Sequence, residues 1–96
     1  MSMAAKYPEY GADAAGENTY ANVIAATKRQ CTNLMVACAT QDAIVSLDGG
    51  TTDHIYVVAG AQPLTLNGIV IPKGAAIQGK NAASGSNYAN LNVTIW

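Results

Sequence analysis

The sequence predicts an all-β protein: a compact β-sandwich or small barrel of about seven short strands, with an extended N-terminal arm. Three observations carry this. Turn signals recur along the chain, as Asp48-Gly49-Gly50, Asn67-Gly68 and Pro72-Lys73-Gly74. The stretch from Leu91 to Trp96 alternates apolar and polar residues with a period of two. Two apolar runs, Ala43 to Leu47 and Ile55 to Ala59, flank the Asp48-Gly49-Gly50 turn as the two arms of a hairpin would.

With 96 residues the chain is one domain's length. We divide it into a flexible arm, 1–17, and a β-sandwich domain, 18–96. The arm is Ala, Gly, Tyr and scattered charge, interrupted by Pro8, with no strand or helix period. Its tyrosines are candidate anchors, because they offer large apolar area with few rotatable bonds.

Segment 18–40 carries two patterns. Tyr20, Val23, Ile24, Thr27, Cys31, Leu34, Met35 and Cys38 recur at three- and four-residue steps, as on one helix face. The β-branched residues Thr19, Val23, Ile24, Thr27, Thr32, Val36 and Thr40 favour strands, and Lys28-Arg29-Gln30 suits a polar turn between them. Strands over 19–27 and 31–39 are the expectation.

Within the hairpin, Ala43, Val45, Leu47, Ile55, Val57 and Ala59 form the core side, while Ile44, Ser46, His54, Tyr56 and Val58 face out. Leu64-Thr65-Leu66 is expected as a brief strand turned by Asn67-Gly68 into Ile69-Val70-Ile71. A strand follows over 75–80, then a Ser/Gly/Asn loop over 81–90 with Tyr88 near its tip. In the last strand Leu91, Val93 and Ile95 point inward, and Asn92, Thr94 and Trp96 outward.

Composition narrows the function. Charged residues are 11% of the chain, against about a quarter in ordinary soluble domains. Half the chain is apolar, yet no run approaches the ~20 residues that span a bilayer. Such a chain makes a poor free monomer and implies a surface covered by neighbours. Net charge is -1 and no basic cluster exceeds Lys28-Arg29, which sets nucleic acid aside. Lys6 leads into Tyr7-Pro8-Glu9 rather than an apolar core, so no secretory pattern is expected.

Cys31 and Cys38 lie seven apart, on opposite faces of one extended strand and more than about 20 Å from each other, so unless the chain turns sharply between them they are expected free, as buried small apolar residues. Asp48, Asp53 and His54 could be acid–base or metal-binding groups, but turn chemistry accounts for them and further ligands are missing. Neither Gly-rich turn has the Lys-Ser/Thr pair of a phosphate loop. We therefore expect no catalytic, cofactor-binding or metal residues. The interface candidates are Tyr7, Tyr10, Tyr20, Tyr56, Tyr88 and Trp96. Of these, Tyr56, Tyr88 and Trp96 have two alternatives, stacking on sugars or packing in the core.

The segment from Ile44 to Val57 with its Ser46-Leu47-Asp48-Gly49-Gly50 turn, the Ile71-Pro72-Lys73-Gly74 to Lys80 stretch, Ser84-Gly85-Ser86 and the strand Asn92-Val93-Thr94-Ile95-Trp96 together resemble small β-sandwich virion proteins of tailed bacteriophages. The resemblance covers about residues 30–96 and rests on turn chemistry. It implies a structural, non-enzymatic role: capsid decoration or cement, or a head–tail or tail-fibre adaptor. It further implies contact with the major capsid protein or tail subunits, a homo-oligomer with a trimer as the leading form, and localisation to a virion assembled in the host cytoplasm. A carbohydrate-binding module on the virion surface is the alternative from another class.

Overall fold

The computed structural model describes residues 8–83 and 88–96. Eight strands run in the order β1 (Glu9–Asp13), β2 (Ala21–Ile24), β3 (Cys31–Ala37), β4 (Ala43–Ser46), β5 (Ile55–Val57), β6 (Leu64–Ile71), β7 (Ile77–Asn81) and β8 (Leu91–Ile95). They form two four-stranded sheets, β1-β8-β3-β6 and β2-β7-β4-β5. Every pairing is antiparallel. The ladders nest, β1 with β8, β2 with β7, β3 with β6 and β4 with β5, which is the connectivity of a jelly roll. No helix occurs among the described residues, and segment 18–40 holds the two strands β2 and β3, in keeping with its β-branched residues.

The core is the apolar layer between the sheets. Leu34, Val36, Ile71, Leu91, Val93 and Ile95 of the first sheet cluster with Ala43, Val45, Val57 and Ile77 of the second, all buried. Close approach of the layers depends on two glycines. A Cβ on Gly79 of β7 would stand 2.2 Å from a Leu91 methyl, and one on Gly11 of β1 would stand 2.1 Å from the Val23 carbonyl oxygen of β2. The sandwich is thus closed along its β1/β2 side.

Four expectations are corrected. Residues 9–13 lie in the expected arm, yet they form edge strand β1, paired with β8 from Glu9↔Ile95 to Asp13↔Leu91. Glu9 fixes that edge by accepting from the Lys28 N–H at 3.0 and 3.1 Å. Next, 64–71 is one strand, because Asn67-Gly68 makes a bulge with Gly68 at φ 72° rather than a hairpin turn. Third, Ser46 is buried, not outward-exposed, because segment 47–54 folds back over it: its hydroxyl accepts from the Gly50 N–H at 2.9 Å. Last, Cys31 and Cys38 are free and buried as expected, but both lie on the core side rather than on opposite faces. The Thr32 and Asn33 N–H groups both donate to the Trp96 carbonyl, at 2.9 and 3.0 Å, and this bulge moves Cys31 to the core side.

Replacing Gly11 by Ala puts a methyl where backbone already stands, so we expect a loss of about 1–3 kcal/mol of stability, measured by urea unfolding. An exposed change on the same strand, Ala12→Ser, should leave the midpoint within error.

Candidate functional site

The outward positions of the first sheet form a face without charge. Register aligns Tyr10, Thr94, Met35 and Thr65 in one row across β1, β8, β3 and β6. A second row joins Ala12, Asn92 and Ala37. Tyr10 is 74% exposed and Met35 is exposed. Trp96, the next outward position after Thr94, is 39% exposed, with its backbone tied to Asn33 by the Trp96 N–H to Asn33 carbonyl bond of 3.2 Å. The two rows and Trp96 contain no Asp, Glu, Lys or Arg. Aromatic and methionine side chains are among the types enriched at the centres of protein interfaces.

The second sheet's outer face differs. Register aligns Lys80, Ile44 and Tyr56 there, and in the adjoining row of Asn22, Gln78 and Ser46 segment 47–54 folds back over Ser46, with Gly50 against Gln78. The Tyr20 hydroxyl donates to Asp53, and the Lys80 ammonium sits 4.6 Å from the Tyr20 ring centroid and 3.7 Å from the Asp53 carboxylate. Burial first, then the Asp53 hydrogen bond and the charges of Asp53 and Asp48, raise the Tyr20 phenol above its ordinary value. Tyr20 is therefore a pin for the loop.

Asp48 and His54 serve the same loop. Asp48 accepts from the Ser46 hydroxyl at 2.7 Å and the Thr52 N–H at 2.9 Å, and these bonds lower its carboxyl to about 2. The His54 Nδ1 accepts from the Leu47 N–H at 3.1 Å. Asp42 closes the hairpin's other end, accepting from the Ala59 N–H and the Tyr56 hydroxyl, each at 2.8 Å; these two bonds lower its carboxyl. No group of three or more His, Cys, Asp and Glu that could hold a metal ion occurs among the described residues. Burial raises both cysteine thiols, with the Glu9 charge adding at Cys31 and the Asp42 charge at Cys38, which makes them poor nucleophiles.

The six aromatic candidates are thus dispersed. Tyr10 and Trp96 share the uncharged face, and Tyr56 is exposed on the opposite sheet with its hydroxyl engaged. Tyr20 and Tyr88 line an open cleft of about 540 Å³ beside Glu17 and Thr19, where the Tyr88 ring lies against Gly16. Tyr7 falls outside the described residues, as does Ser84-Gly85-Ser86. Sequence reasoning missed Met35, Thr65 and the two alanines. Their signal is the absence of charge at every second position of adjacent strands, which needs the pairing order to be seen. No family model, curated protein or solved structure matches this chain.

The Asp48 carboxyl lies below its unfolded value of 3.8, so its stabilisation is complete above that pH and is lost as pH falls toward about 2. A carboxyl-carbon NMR titration should give a midpoint near 2 for Asp48. In Ser46→Ala the midpoint should rise toward the ordinary value. A wild-type midpoint near 3.8 would show that the turn's hydrogen bonds do not form in solution.

Proposed function

We propose that this protein is a non-enzymatic structural component of a bacteriophage particle, a decoration or cement protein that lays its uncharged sheet face on a capsid subunit. The observation that carries the reading is the row Tyr10–Thr94–Met35–Thr65 with Trp96 beside it, an exposed face with no charge in a chain that keeps its charges elsewhere. Apolar area removed from water on docking contributes about 25 cal/mol per Å². Uncharged hydroxyl and amide groups at the rim exchange hydrogen bonds with water for hydrogen bonds with the partner. The resemblance of the turn motifs to phage virion proteins supplies the setting, and jelly rolls are familiar in viral capsids, an analogy of fold alone. A head–tail or tail-fibre adaptor would use the same face on a different subunit.

The cleft between Tyr20 and Tyr88 favours a second reading, a glycan site on the particle surface. It stands second because the Tyr20 ring is already covered by the Lys80 ammonium and its hydroxyl is committed to Asp53.

Particles carrying the protein, imaged by electron microscopy, should show it on the capsid lattice with this face down; density only at the portal vertex or tail moves the role to adaptor. In co-sedimentation with particles, Met35→Glu should weaken binding at least tenfold, because docking would bury an uncompensated carboxylate at a cost above 1.4 kcal/mol. Tyr56→Ala, on the opposite sheet, should bind as wild type. Equal binding by Met35→Glu would remove the face from the interface.

A further inference from the structure

The sandwich has four sheet edges, β1 and β6 on the first sheet and β2 and β5 on the second. The β1 and β2 edges close on each other through the Gly11 approach. On the other side, β5 has three residues and follows Asp53-His54. β6 has eight residues, the longest strand, with neither charge nor proline in it. No described strand pairs with its outer side.

The geometry points to one occupant of that edge: the β6 strand of a second copy, paired antiparallel about a two-fold axis between Asn67 and Gly68. The sequence from Pro63 to Pro72 has the symmetry for it. In that register Leu64 meets the second copy's Ile71, Thr65 meets Val70, Leu66 meets Ile69, and Asn67 meets Gly68. A proline stands at each end, Pro63 and Pro72, where a missing N–H terminates the ladder.

The bulge makes the faces agree. Directly opposed residues of an antiparallel pair share a sheet face. In an unbroken strand Leu66 and Ile69 would lie on opposite faces. Gly68, at φ 72°, shifts the alternation by one, so Leu66, Ile69 and Ile71 all turn toward the core while Thr65 and Val70 turn out. Each apolar inward residue then meets an apolar inward residue, and Thr65 meets Val70, which is 68% exposed.

Charge selects β6 over the equivalent edge of the same sheet. Self-pairing of β1 about Gly11 would set Glu9 against Asp13, two carboxylates, twice. In the β6 arrangement the nearest charge, Lys73, comes opposite Gln62. The contact is isologous, so it closes at two copies. It also sets Thr65 beside the second copy's outward Val70, so the uncharged faces of the two copies adjoin across the axis. The inference stands whether or not the protein belongs to a virion, and it sets a two-fold assembly in place of the trimer that the resemblance implies.

Sedimentation velocity of the full chain tests it. Wild type should sediment as a dimer of the 9.9 kDa chain. Thr65→Lys combined with Val70→Lys opposes like charges twice across the axis and should weaken the dimer at least tenfold. Thr65→Lys combined with Val70→Glu opposes unlike charges at the same positions and should keep it. Both sites are exposed, so circular dichroism should show each variant folded. A monomeric or trimeric wild type, or two double variants that sediment alike, would overturn the proposal.

Discussion

Burial of one apolar layer between two sheets holds this protein together. The chain supplies no second staple: both cysteines are free, and no metal cluster forms among the described residues. Everything else follows from keeping that layer dry. Inward residues must recur every second position, and wherever the chain departs from this rule a bulge restores it. At Thr32–Asn33 the bulge returns Cys31 to the core, and at Gly68 it returns Ile69 and Ile71. Gly11 and Gly79 let the layers approach, and Leu91 fills the space that a side chain at Gly79 would take.

The same constraint explains what the sequence reveals and what it hides. β5 and β8 alternate cleanly, and β4 does so as far as Val45, so all three are legible as strands with a core side. β3 is ambiguous because its bulge puts Cys31 and Leu34 three apart, and a three-residue step followed by two-residue steps imitates a helix. β6 looks like two strands because Asn67-Gly68 is a turn dipeptide by propensity, and only pairing with β3 makes it a bulge. β1 is invisible: its inward positions are Glu9, Gly11 and Asp13, and no apolar pattern marks it. At the candidate site, Trp96 was identifiable from type and parity, and Tyr10 from type alone. The role of Tyr20 was not, since Asp53 lies 33 positions away. The uncharged face is a property of strand order, and no local window contains it.

The polar residues sort by task. Asp42, Asp48, Asp53 and His54 all bond to the β4–β5 hairpin, its loop or the Tyr20 pin. Buried Asn81 fastens the chain between β1 and β2: its side-chain amide donates to the Ala15 carbonyl at 3.1 Å, and its own carbonyl accepts from Asn18 at 2.6 Å. Buried Thr27 likewise joins the Pro72 carbonyl and the Ala75 N–H. Side chains that could have made a charged site are consumed as structure, and the bonds that Asp42 and Asp48 accept lower their carboxyls. That leaves the outer surface of the first sheet to groups whose interactions are short-range and depend on shape. Recognition by such a surface gains little from long-range steering and much from area and fit.

The treatment of edges gives the surface its direction. A free strand edge is a hazard to a small protein, because its unpaired N–H and C=O groups accept any strand that arrives. This protein protects β1 with Glu9 and Asp13 and with the packing of β2 against it. It spends no such protection on β6, where a lysine at Thr65 or Val70 would cost nothing in the core, both positions being exposed. The bulge there corrects the facing of the strand instead of twisting the edge away, and the prolines bound its ends instead of breaking its middle. An edge that no described strand covers, uncharged and of defined length, beside a sheet face that is also uncharged, has the form of a joint, because protection was within reach of the same sequence and is present on the opposite side of the molecule.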